Sequence, residues 1–189
     1  MTRPRLGIII ASTRPGRVGL PVGEWVHHRA VEHGGFEAEL LDLAEIALPF
    51  FDEPKHPRLG QYLHDHTKAW SATVAAQDAF VIVTPEYNHG FNAPLKNAID
   101  YLWAEWQHKP VGFVAYGGVA AGTRAIQMLK PVLAVLKMIP MVESVPIPFV
   151  GQLVDADGQL QATDALDRAA ATMLDELVRW EAALRPLRG

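Results

Sequence analysis

Cysteine is absent from the 189 residues. Its absence excludes a disulfide framework, a thiolate zinc site, a cysteine nucleophile and a cysteine-ligated iron–sulfur cluster. An excess of basic charge is missing too. Against 17 Lys and Arg stand 21 Asp and Glu, a formal charge of −4, so no global field for nucleic acid is expected. No apolar run approaches the roughly 18 residues of a membrane span, and no membrane partner is expected. The N-terminus, Met1-Thr2-Arg3-Pro4-Arg5, is basic, but Leu6 to Ala11 behind it read as a first strand rather than as a signal peptide. What is present has the balance of an ordinary globular protein, 49% hydrophobic and 20% charged. At about 150 residues per domain, this length predicts one compact domain over residues 1–189, placed in the cytoplasm.

Apolar runs alternate with helical patterns. Leu6 to Ile10 is short, β-branched and continuous, as a strand buried on both faces should be. Val18 to His33 has helical spacing and ends at Gly34-Gly35, and Phe36 to Leu43 reads as an outer strand. A loop with Pro49, Pro54 and Pro57 leads to a helix expected over 61–77. Strands are predicted at Ala79 to Val83, Val111 to Tyr116 and Met141 to Ile147, and helices at Asn92 to Trp106, Thr123 to Met138 and Thr163 to Leu184. Pro131 should kink its helix or mark a first-turn boundary. The loop from Pro148 to Ala162 is long enough to cover something. Five strands alternating with helices predict an α/β fold, a doubly wound parallel sheet with helices on both faces. Ligands of such sheets bind beyond the carboxyl ends of the strands, near a topological switch point.

Three loops at that edge carry the chemistry. The first, Ala11-Ser12-Thr13-Arg14-Pro15-Gly16-Arg17-Val18-Gly19, leaves a buried strand and enters a helix N-terminus, where free N–H groups and the helix dipole favour an anion. Two hydroxyls and two guanidinium groups strengthen that reading; a solvated turn with exposed arginines is the plain alternative. The segment lacks the Gly-Lys-Ser/Thr of a Walker loop and does not fit G-x-G-x-x-G. The second loop, Thr84-Pro85-Glu86-Tyr87-Asn88-His89-Gly90-Phe91-Asn92-Ala93-Pro94, offers backbone groups beside a planar aromatic, with Asn92 and Pro94 suited to a helix start. In the third, Tyr116-Gly117-Gly118-Val119-Ala120-Ala121-Gly122, the glycines permit close approach of a ligand or serve only turn geometry.

Taken together, Ser12-Thr13-Arg14-Pro15-Gly16-Arg17, Thr84-Pro85-Glu86-Tyr87-Asn88, Leu95-Lys96-Asn97-Ala98-Ile99-Asp100 and Tyr116-Gly117-Gly118 resemble the NAD(P)H-dependent FMN reductase family, of flavodoxin-like fold. Two departures stand out: Ala11 and Arg17 replace a Gly and a Ser common in that family's first loop, and His89-Gly90 stands where many members have Gly-Ser. The resemblance implies a sheet of order 2-1-3-4-5 and an FMN cofactor. It places the FMN phosphate on Ser12, Thr13, Arg14 and Arg17, with Val18 and Gly19 at the helix entrance. The isoalloxazine then lies between Pro85, Glu86, Tyr87 and Asn88 on one side and Tyr116, Gly117 and Gly118 on the other, with backbone N–H groups of residues 86–88 near flavin N5 and O4. NADPH or NADH is the implied hydride donor in a ping-pong scheme. The implied partner is a small-molecule electron acceptor: a flavin, quinone, azo or nitro compound. No catalytic side chain and no metal ligand is nominated. A flavodoxin-like electron carrier and a non-catalytic assembly module remain as alternatives.

Other residues invite readings of their own. His64-Asp65-His66 has a metal-like look but falls at a helix start, and His27-His28 reads as a solvated helix edge. His89, directly after the flavin turn, is a candidate for the acceptor pocket. Tyr101, Trp103 and Trp106 are expected on one helix as an aromatic subunit interface, with a monomer core as the plain alternative, and a homodimer or homotetramer is implied.

Overall fold

Doubly buried strands need apolar side chains at successive positions, and the runs in this chain supply them to two separate cores. The structure, a computed structural model, describes residues 3–188; Met1, Thr2 and Gly189 lie outside the described residues. Five strands, β1 (Arg5–Ile10), β2 (Glu37–Asp42), β3 (Ala79–Pro85), β4 (Pro110–Gly117) and β5 (Ile139–Pro148), form one parallel sheet of order β2-β1-β3-β4-β5. In register, Ile8 faces Leu40 on one side and Val81 on the other. Side chains alternate between the sheet faces. Ile8, Val81, Val83 and Val114 enter a core closed by α1 (Gly19–His33) and α6 (Asp164–Leu184), with Trp25, Val26, Leu174 and Leu177. Ile9, Phe80, Ile82 and Phe113 enter the other, closed by α3 (Asp65–Ala75), α4 (Ala93–Asp100) and α5 (Thr123–Val135). A short α2 (Leu43–Ile46) follows the edge strand β2, which is the outer strand that its sequence pattern predicts.

Helix ends depart from expectation where side chains take over backbone roles. α4 stops at Asp100 instead of continuing to Trp106. Its last carbonyls are taken by two indoles: Trp70 Nε1 donates to Ala98 O at 2.8 Å and Trp106 Nε1 to Ile99 O at 3.1 Å. Tyr101 and Trp106 are consequently buried in the monomer core, with Trp106 packed edge-on against Trp70 at 6.0 Å. Only Trp103 is partly exposed, stacked under the Arg58 guanidinium at 4.1 Å. The aromatic interface expected there is thus a core feature. α3 starts at Asp65, four residues later than expected, because the buried Glu53 carboxylate accepts from Leu63 N (2.8 Å) and His64 N (3.0 Å) and holds 61–64 outside the helix. Pro131 lies inside α5 and marks no first-turn boundary. The loop 149–162 does cover something: Leu153, Leu160 and Ala162 pack on the α1/α6 core.

Candidate active site

The loops after β1, β3 and β4 meet at the carboxyl edge, where the strand order reverses between β1 and β3. At the first loop, α1 begins with Val18 as N-cap, with no side chain capping it and no acidic residue in its first turn. Its N–H groups therefore face an anion without competition. Ser12 is buried, whereas Thr13 and Arg14 are exposed at the mouth. Arg17 differs from expectation. It turns away to pair with the buried Asp42 at the end of β2, and Asp42 in turn accepts from Ala44 N at 3.0 Å to start α2. The two arginines of this loop thus have separate surroundings, one solvent and one a half-buried ion pair.

The Tyr116 ring descends from the end of β4 toward the same helix entrance. A Cβ on Gly19 would lie 2.6 Å from the Tyr116 hydroxyl and 3.3 Å from Ser12 Cβ. Gly19 is therefore required by this contact and not only by the turn. The hydroxyl is buried without a hydrogen-bond partner among the described residues. Burial pushes this phenol above its ordinary value, so it stays protonated. The resemblance places Tyr116 beside the isoalloxazine, and in the structure its hydroxyl reaches the first loop at Gly19.

The second loop is a two-residue hairpin turn. Tyr87 N donates to Gly90 O at 2.8 Å and Gly90 N to Tyr87 O at 3.0 Å, with positive φ at Asn88 (51°) and His89 (70°). That is the primed geometry in which Gly or Asn is favoured, so His89 at the exposed tip carries strain. Glu86 N donates to Tyr116 O at 3.0 Å. Of the three N–H groups expected to face a flavin, those of Glu86 and Tyr87 are therefore engaged within the chain. The Glu86 carboxylate binds Arg124 N (3.2 Å) and Arg124 Nη1 (2.9 Å), tying this loop to the start of α5. Tyr87 Oη lies 3.4 Å from Ser12 Oγ, linking it to the first loop.

In the third loop, turn geometry falls on Ala121 (φ 52°) and Gly122 (φ 80°). A Cβ on Gly122 would sit 2.6 Å from Tyr116 N. A Cβ on Gly118 would meet nothing within 4 Å, and one on Gly117 only atoms at 3.4 Å or beyond. Their small size leaves an open shelf.

Asn92 carries a role that helix-start reading concealed. Instead of capping α4, its buried Nδ2 donates to Ala11 O at 2.6 Å, joining the second loop to the first, and its Oδ1 has no partner among the described residues. The signal was an Asn at an N-cap position; nothing local marks that it reaches across 81 residues. Of the other histidines, His66 Nε2 lies 3.0 Å from Asp52 Oδ1 and stacks on His64, and His28 is exposed. His27 is half-buried, with Nε2 3.2 Å from Ala38 O, not solvated as expected. Beside Thr13, an apolar cavity of about 510 Å³ opens between α2 and the start of α4, with Phe50 at its rim.

These features fit a flavin mononucleotide: an uncapped helix entrance for a dianion, an orphaned hydroxyl beside it, and a side-chain-free shelf for a flat ring. Known proteins agree. Residues 4–152 match the NADPH-dependent FMN reductase family. An NAD(P)H-dependent FMN reductase of Schizosaccharomyces pombe is 42% identical over 137 residues, covering 71% of this chain and 68% of that protein. An NADPH azoreductase of a Bacillus species is 37% identical over 101 residues, 52% of this chain and 54% of that protein. Among solved structures, the flavoenzyme NAD(P)H:(acceptor) oxidoreductase FerB of Paracoccus denitrificans has the same fold, with a TM-score of 0.76 over 95% of this chain and 98% of that one at 20% identity. The chain belongs to the NADPH-dependent FMN reductase family, the FMN-dependent oxidoreductases that draw hydride from NAD(P)H.

Proposed function

We propose that this FMN-dependent NAD(P)H oxidoreductase holds the FMN phosphate at the α1 entrance, on Ser12, Thr13, Arg14 and the backbone of Val18 and Gly19. Arg17 braces that loop from Asp42. The ring would lie across Pro85, Glu86, Tyr87 and Asn88 and over Gly117 and Gly118. The observation that carries this reading is the α1 entrance, uncapped and free of acidic side chains, in a chain whose net charge is negative. Bound FMN would supply the redox chemistry, the two-electron exchange between NADH or NADPH as donor and a flavin, quinone, azo or nitro compound as acceptor. The chain's own residues position and polarise. Asn88, whose N–H is free of the hairpin bonds, is the donor in reach of the ring edge; removing such a donor costs about tenfold or more in rate. His89 lines the side from which the acceptor enters.

Residues 1–189 would act as one FMN-binding domain in the cytoplasm, where the NAD(P)H pool lies. Among the described residues, no helix is long and apolar enough to cross a membrane. A homodimer or homotetramer is supported by the exposed Phe50, Leu59 and Leu63. Sedimentation as a monomer at micromolar concentration would remove that part.

Anaerobic mixing of the flavin-loaded protein with NADH or NADPH tests the whole. Bleaching of the FMN absorbance by either donor is expected. Flavin that stays oxidised with both indicates an electron carrier, and failure to bind added FMN leaves an assembly module.

A further inference from the structure

Two phenols flank Ser12. Tyr87 Oη lies 3.4 Å from Ser12 Oγ on the open side. On the buried side, the Tyr116 hydroxyl and Ser12 Cβ both crowd the Gly19 position at the start of α1. Tyr116 is 5% exposed and its hydroxyl lacks a partner. A buried hydroxyl without a partner is destabilising, and replacing this tyrosine by phenylalanine would remove the cost without opening a cavity. A stability argument therefore does not account for the oxygen.

Ligand recognition does account for it. A serine hydroxyl has one proton to give and two lone-pair sites to receive. A protonated phenol behind it, unpartnered among the described residues, would turn its proton to Ser12 Oγ once an anion orders the serine, leaving the serine proton to point outward at the α1 entrance. A phosphomonoester dianion presents acceptors only, so an outward-facing donor suits it. An alcohol at the same place can give or accept and gains little from that orientation.

We propose that Tyr116 is a positioning residue that acts through Ser12 to make the α1 entrance selective for a terminal phosphate, so that the site takes FMN in preference to riboflavin. This rests on the FMN phosphate lying at the α1 entrance. Tyr116 would act without touching the flavin ring or the phosphate, by fixing the direction of the Ser12 proton.

The test compares the native protein with Tyr116→Phe, Ser12→Ala and the double variant, each stripped of flavin and titrated with FMN and with riboflavin by fluorescence quenching. For Tyr116→Phe, the FMN Kd should rise about tenfold, the order expected for a hydrogen bond to a charged group. The riboflavin Kd should stay within about twofold, and flavin-free thermal stability should be unchanged or higher. The double variant should bind FMN no more weakly than Ser12→Ala alone, since both lose one shared interaction. An unchanged FMN Kd in Tyr116→Phe overturns the assignment. So do equal losses for both flavins, a lowered flavin-free melting temperature, or additive losses in the double variant. Should the native protein bind neither flavin, the FMN reading itself falls and this assignment with it.

Discussion

Arg14 and Arg17 lie three residues apart in one turn, yet they sit in different physical surroundings. Arg14 is exposed at the mouth of the α1 entrance. Arg17 is paired with Asp42, whose side chain is only 6% exposed and which also starts α2. Removing an exposed cation near a phosphate weakens binding and leaves folding alone. Removing Arg17 strands a buried carboxylate. Arg14→Ala should therefore raise the FMN Kd about tenfold with no change in the flavin-free melting temperature. Arg17→Ala should lose about 1–3 kcal/mol of stability, read from urea denaturation of the flavin-free protein. Reversed effects would place Arg17 in the cradle and Arg14 in the scaffold. The sequence pattern named both arginines because it records residue types along a loop, and a guanidinium in that loop reads as an anion ligand. The competing carboxylate comes from Asp42, 25 residues on, and local reading has no access to it. Tyr116 shows the same limit: its position on the third loop was legible, but the direction of its side chain depends on packing against Gly19.

Between β2 and β3 the chain forms a strap whose organisation was barely legible. Prolines announced a loop, but the bonds that hold it come from neighbouring elements. Asn97 of α4 binds Pro49 O at 2.7 Å through Nδ2 and accepts from Phe51 N at 2.9 Å. Tyr101 Oη donates to Asp52 Oδ1 at 3.0 Å. Glu53 fixes the two residues that precede α3 through the N–H groups of Leu63 and of the N-cap residue His64, whose own side chain makes no capping bond. Strong periodic segments such as β1 and β3 were read to within two residues, since a doubly buried strand has one pattern available to it. The ends of α3 and α4 were missed because a remote carboxylate and two indoles set them. The strap should be acid-sensitive. Burial alone would raise the pKa of Glu53, but the N–H groups of Leu63 and His64 outweigh it and hold the carboxyl below its ordinary 4.5. A depressed folded pKa contributes stability that is present above 4.5 and is lost as pH falls through the folded value. Glu53→Gln should therefore be less stable than the native protein at neutral pH, by about 1–2 kcal/mol, because the amide offers one neutral acceptor where the carboxylate gives each N–H a charged one. The two should converge in acid. A constant difference from pH 7 to pH 3 would show that the Glu53 charge has no part in holding the strap.

Across the whole molecule, the two ends of the sheet carry opposite kinds of polarity. The carboxyl edge has glycines, hydroxyls and backbone donors held open to a ligand. The amino edge has ionic groups bonded within the chain: Arg188 bridges the partly exposed Asp78 and the buried Glu181, and the buried Lys109 donates to the last carbonyls of α3, Val74 O at 2.8 Å and Ala75 O at 3.3 Å. Lys109 is 5% exposed. Burial, reinforced by the Arg188 charge and only partly opposed by Asp78 and Glu105, brings its pKa down to about 8 from 10.5. Unfolded chains keep this proton up to 10.5, whereas the folded one releases it near 8, so the unfolded state binds more protons across that window. Stability must then rise with pH from 8 upward. Above pH 10 the trend meets opposition from Tyr62, Tyr101 and Tyr116, whose burial raises their phenols above the ordinary 10.0 and makes the folded state resist their ionisation. The clean interval is pH 8 to 10. Within it, native stability measured against Lys109→Met should rise by about 1–2 kcal/mol, given a limit of about 1.4 kcal/mol per pH unit for one proton. The methionine variant retains the aliphatic packing over Phe80, 5.7 Å from the native Nζ, and has nothing at residue 109 to titrate. Parallel stability curves for the two proteins from pH 8 to 10 would mean that Lys109 keeps its proton in the fold and that the amino edge tolerates a full buried charge.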